Sequence, residues 1–172
     1  KILGFGKIKP EDSVKGYHYT GICILNEKIF NYLPEGESNI LHDGVLSAIK
    51  DQQRVEVFNI DCHWFETGNE DDFKAASKKS LELLKTNSYS GIYLNALIAK
   101  FAPNSRMVLK EHQWILYDQS SKFNPDHVQG FLVIGSNSKL PSDIIVKNSV
   151  IGENVEVRTH QNINNKLLMY GN

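Results

Sequence analysis

The sequence predicts an α/β chain, and three observations predict it. Strand-like apolar runs alternate with helical stretches over the first half. A charged, capped turn, Glu66-Thr67-Gly68-Asn69, separates an apolar run from the strongest helix of the chain. From Ile134 onward, apolar residues recur at a six-residue step between Gly-, Asn- and Ser-rich turns.

The elements follow in order. Residues 2–5 read as a short strand and 7–16 as a polar loop. Residues 19–25 form a β-rich strand that Asn26-Glu27 ends. A short helical turn at 28–33 stops at Pro34-Glu35-Gly36. Ile40, Leu41, Val45, Ala48 and Ile49 stand at helical spacing, which predicts an amphipathic helix over 40–50. Residues 55–60 read as a strand leading to Trp64. Asn69 with Asp72 makes an N-cap pair, and Glu70, Asp71 and Asp72 place negative charge in the first turn of a helix over 69–85. Phe73, Ala76, Leu81 and Leu84 mark its apolar side.

Asn87 to Gly91 reads as a boundary, followed by a helix over 92–101 and a strand-rich segment after Arg106. In the tail, Ile134 and Leu140 form one apolar pair. Ile145, Ile151 and Val157 continue after a one-residue slip, and Ser138, Ser149 and Val155 follow four positions later. This spacing fits either a left-handed parallel β-helix with room for about two coils or a meander of short strands.

Composition narrows the function classes. With 172 residues, 41% of them hydrophobic, the chain is able to build one sizeable core or two small ones. A net charge of −1 argues against nucleic acid or an acidic membrane as partner, since those need clustered basic charge. Cys23 and Cys62 lie in apolar runs without metal-ligand spacing, so buried thiols in a reducing, cytoplasmic setting are expected. No apolar run is long enough for a transmembrane helix, and no signal peptide appears.

Four stretches carry a resemblance. Residues 64–76, W-F-E-T-G-N-E-D-D-F-K-A-A, resemble the W-x-D-x-G-T-P-E-D-Y-x-x-A segment of the sugar-1-phosphate nucleotidyltransferases. Lys9-Pro10 resembles the end of that family's F-x-E-K-P motif, and residues 19–25 resemble its N/T-A/T-G-I-Y-x-L strand. Val133-Ile134-Gly135 and Ser149-Val150-Ile151-Gly152 resemble the hexapeptide repeats that follow its catalytic domain. The general resemblance is to the mannose-1-phosphate guanylyltransferase subtype.

The resemblance implies a Rossmann-like nucleotidyltransferase domain, of which residues 1–88 are the carboxy-terminal, sugar-phosphate side. A connecting helix and strands over 89–130 and a short left-handed β-helix over 131–172 come next. The implied reaction joins a nucleoside triphosphate to a sugar-1-phosphate and releases pyrophosphate, with magnesium as cofactor. It implies Lys9, Tyr19, Thr20 and Gly21 as substrate-binding residues and Glu66 as the metal ligand, in place of the family's aspartate. No side chain is assigned as catalytic, because the reaction needs charge neutralisation rather than a base. His18 and His63 read as strand-edge residues, Trp64 as packing, and Asp43 as structural.

Two departures stand beside it. The family glutamate before the lysine is Ile8, and the chain has no G-x-G-x-R or G-x-x-x-x-G-K-[ST] loop for the nucleotide. The chain is therefore expected to be the carboxy-terminal part of a longer enzyme, inactive by itself, with the β-helix making homo-oligomer contacts. A non-catalytic regulatory or assembly subunit of the same fold is the competing expectation.

Overall fold

The computed structural model describes residues 2–7, 9, 11 and 13–169. Ile8 and Pro10, which belong to the expected lysine motif, lie outside them. The chain divides into two compact units, Lys1–Trp64 and Phe65–Asn172.

In the first unit the regular elements are helical. A 3-10 turn, Glu27–Tyr32, is capped by Asn26, whose Oδ1 accepts from Lys28 N at 3.1 Å. The expected helix over 40–50 forms as a π-helical turn, Ile40–Val45, running directly into α1, Leu46–Lys50. Asn39 caps it by accepting from the backbone N–H groups of Leu41 and His42, both at 3.0 Å. Asp43 returns the contact by accepting from Asn39 N, which completes a reciprocal cap and makes Asp43 structural, as expected. Gly44 is where this helix meets the 3-10 segment. A Cβ there would lie 3.0 Å from Leu33 Cδ2 and 3.2 Å from Ile29 Cδ1.

The strands expected over 2–5, 19–25 and 55–60 do not form ladders, so the Rossmann-like sheet is not observed among the described residues. A β-rich run becomes a strand only when its N–H and C=O groups find a register partner. Here these runs leave Ile24, Phe58 and Ile22 exposed.

The second unit is α2 (Glu70–Leu84), α3 (Tyr89–Phe101) and a six-stranded sheet. Its strands are β1 (Ser105–Leu109), β2 (Gln113–Asp118), β3 (Val128–Ile134), β4 (Val146–Ile151), β5 (Ile163–Asn164) and β6 (Leu167–Leu168). β1 pairs antiparallel with β2; β2, β3 and β4 are parallel in sequence order, and β4 pairs in parallel with both β5 and β6. This winding is a β-solenoid of about three turns. It takes in β2 and therefore begins upstream of the hexapeptide signal.

Neighbouring coils are offset by 17 residues, as the contacts Asn137–Asn154, Ser138–Val155 and Asp143–His160 record. Three full hexapeptides would give about 18. The shortened coil changes the phase of the inward positions. Ile144 is buried at 2% exposure, whereas Ile145, the residue at the sequence's six-residue step, is exposed at 37%. The register also shifts between Gln129 and Leu132, where Gly130 has φ +71 and any Cβ would strike Asn148 Oδ1. Asn137, Asn148, Asn154 and Asn165 turn the coils in the left-handed region that asparagine tolerates better than other residues with a side chain.

The solenoid interior holds Ile115, Leu132, Ile134, Leu140, Ile144 and Ile151. Its two fully buried serines act as latches between coils. Ser138 Oγ donates to Gly152 O at 2.7 Å and accepts from Val155 N at 3.0 Å. Ser149 Oγ donates to Lys147 O at 2.7 Å and accepts from Lys166 N at 3.1 Å. Both positions are those the sequence marks as small.

A second core lies between the helices and the outer face of the sheet. Leu81 and Leu84 of α2 pack there with Phe131 and Val150, and Phe73 joins them, so the predicted apolar side of the helix faces the sheet. Lys74, only 6% exposed, donates from Nζ to Asn165 O at 2.9 Å and pairs with Asp71 at 2.9 Å. At the other end, Lys85 Nζ lies 4.6 Å over the Trp114 ring. α3 meets α2 at Gly91, where a Cβ would strike the carbonyl oxygens of Leu83 and Thr86.

Candidate functional site

The expected sugar-side residues all belong to the first unit. Residues 18–21 form one edge of a small aromatic cluster. The indole of Trp64 donates from Nε1 to Thr20 O at 3.2 Å, and its ring lies 4.1 Å from that of His18 at a 49° tilt. Phe5 approaches Tyr19 edge-on at 6.5 Å and His42 at the same distance. Trp64 thus packs beside the Thr20 backbone but is exposed at 37%, so it is not the core residue expected.

Thr20 is half-buried, and its carbonyl is fixed by Trp64. Gly21 follows with φ +85 and open space where a Cβ would stand, so a ligand can reach the backbone there. Tyr19 keeps its phenolic proton firmly. A side-chain hydrogen bond with Cys23 and, to a smaller extent, burial raise it above the ordinary tyrosine value, which leaves a hydroxyl donor at neutral pH. Lys9 is exposed and engaged with its surroundings.

Glu66 belongs to the second unit. It is exposed, and its Oε1 accepts from Thr67 N at 3.1 Å while lying 3.3 Å from the position of a Cβ on Gly68. Three residues on, Asn69 Oδ1 accepts from Asp72 N at 3.0 Å and Asn69 Nδ2 donates to Asp72 Oδ2 at 2.6 Å, which caps α2 as the sequence predicts. Glu66 therefore stands on a short turn held by the α2 cap. It is a single carboxylate at this turn. Among the described residues no group of three or more His, Cys, Asp or Glu side chains converges on a common point. Magnesium suits such a sparse protein set, since it retains waters and takes further oxygens from phosphates.

Three features were not legible in the sequence. Cys23 and Cys62, expected as buried thiols, are exposed and unbridged, because the runs that contain them do not enter a sheet. The His18–Trp64 contact joins residues far apart in the chain, and no local pattern announces it. Asp143 and His160 pair across adjacent coils at 2.8 Å, a juxtaposition that only the 17-residue offset creates.

No helix of the described residues is long and apolar enough to cross a membrane. No protein-family model matches the chain, and no curated protein matches it either.

Proposed function

We propose that this chain is the carboxy-terminal portion of a sugar-1-phosphate nucleotidyltransferase. The reading rests chiefly on one arrangement: a carboxylate, Glu66, held on a Thr-Gly turn immediately before a helix capped by Asn69, with a β-solenoid following in the same unit. The order of motifs around Lys9, residues 19–25 and residues 64–76 supports it from the sequence side.

In this reading the solenoid is a left-handed β-helix that makes homo-oligomer contacts, and the first unit is the sugar-phosphate side of a Rossmann-like domain. Lys9 pairs as a compact cation with the sugar phosphate. Tyr19 donates its hydroxyl to the sugar, and Thr20 and the open backbone at Gly21 line the ring. Glu66 would hold a magnesium ion, whose charge would neutralise that of the phosphates. The protein side of the chemistry is positioning and charge compensation, with no proton transfer assigned to a side chain.

The test is a coupled pyrophosphate assay on the full-length protein containing this chain, across a panel of nucleoside triphosphates and sugar-1-phosphates. Magnesium-dependent release with one pair is expected, reduced about a hundredfold or more by Glu66→Ala. Absence of turnover with every pair supports the second reading, a non-catalytic regulatory or assembly subunit. That reading is favoured by the glutamate where the family has aspartate and by Ile8 where it has glutamate.

A further inference from the structure

The second unit carries a groove on the solenoid exterior that the reading above does not use. It runs beside the turn between β1 and β2, from Lys78 on α2 to Lys147 on β4. Two adjoining hollows of about 700 Å³ and about 220 Å³ compose it, and they share Glu111, His112 and Gly130. The side-chain direction at Gly130 is filled by the Asn148 amide, which lines the smaller hollow.

The charge of the walls is uneven. Three lysines, Lys78, Lys110 and Lys147, face two carboxylates, Glu111 and Asp126, and Lys78 Nζ lies 6.0 Å over the Trp114 ring. Glu111 Oε1 lies 3.6 Å from His112 Nε2, an ion pair only with the imidazole protonated. Neither Lys110 nor Lys147 has an ion-pair or hydrogen-bond partner for its ammonium group among the described residues. Both are exposed and stand on elements fixed by the sheet: Lys110 directly after β1, Lys147 within β4. An open surface with more lysines than carboxylates concentrates small anions, and lysine pairs with phosphate as a point charge.

The geometry points to a binding site for a phosphorylated small molecule carrying two or more phosphate charges, held between Lys110 and Lys147. The larger hollow, about 700 Å³ and widely open to solvent, has room for more than a lone ion. Glu111 and Asp126 interrupt the basic surface, so a long nucleic-acid backbone has no continuous track. The site uses none of Lys9, Tyr19, Thr20, Gly21 and Glu66, and stands or falls independently of the nucleotidyltransferase reading.

The experiment is a titration of inorganic pyrophosphate into the full 172-residue chain, followed by calorimetry and by amide shifts in NMR. Saturable binding is expected, with shifts at Gly130 and Lys147 and weaker binding of inorganic phosphate than of pyrophosphate. Lys110→Ala with Lys147→Ala weakens pyrophosphate about tenfold or more, while Lys139→Ala, outside the groove, leaves it unchanged. Thermal unfolding checks that each variant is folded, which substitution of exposed side chains preserves. Non-saturable binding, or equal weakening by Lys139→Ala, overturns the site and assigns the effect to diffuse surface charge.

Discussion

Asp143 and His160 illustrate what single residues contribute. The side-chain hydrogen bond to His160, first among several causes, holds the Asp143 carboxyl below its ordinary value; the nearby charges of His160 and His127 add to it. A carboxylate whose folded value is lowered stabilises the fold at pH above its unfolded value, about 4, and loses that contribution as pH falls through the folded value. Urea midpoints of the wild type and Asp143→Asn are therefore expected to differ at neutral pH and to converge in acid. A gap that stays constant into strong acid would place the effect elsewhere. Tyr19 shows the opposite sign in a neutral group: its contact with Cys23 favours the protonated phenol.

At the scale of the element, the helices follow from local chemistry. Asn39, Asn69 and Ser88 each accept from backbone N–H groups at a helix start, and each is a residue type that favours such a position. Asn69→Ala removes the cap of α2 and is expected to cost about 1 kcal/mol, read as a lower urea midpoint, with Asn69→Ser restoring most of it. If the alanine variant matches wild type, the cap contributes nothing and the turn that carries Glu66 is held by other contacts. Strands behave differently. Residues 19–25 have the composition of a strand as fully as β3 does, but only β3 has neighbours in register on both sides.

Over the whole molecule, stability of the second unit lies in two cores separated by one sheet. Leu132 and Ile151 face the solenoid interior, while Phe131 and Val150 face α2. Alternation along each strand distributes the side chains between the two cores, and this couples helix docking to coil closure. Leu132→Ala leaves a cavity in a fully buried position and is expected to lower unfolding stability by about 3–5 kcal/mol, measured by urea denaturation. A loss under about 1 kcal/mol would mean that the coil collapses around the smaller side chain.

The sequence by itself determined the helices and the Asn69 cap of α2, because each depends on residues a few positions apart; for the tail its spacing left a β-helix and a meander of short strands open. Asn69 with Asp72 and the apolar face of Leu81 and Leu84 are legible without any knowledge of partners. Only the tertiary structure decided the rest. Whether residues 19–25 and 55–60 pair depends on strands elsewhere, and among the described residues none meets them. The phase of the coil depends on how many residues each corner consumes, which exchanged Ile145 for Ile144 as the inward side chain. The candidate site was legible as residue types in order, Lys9, Tyr19-Thr20-Gly21 and Glu66. The contacts around it were not, since Trp64 on Thr20 and His18 on Trp64 arise from chain folding over long separations. Local patterns specify elements; long-range closure selects which of them become strands and which surfaces they bring together.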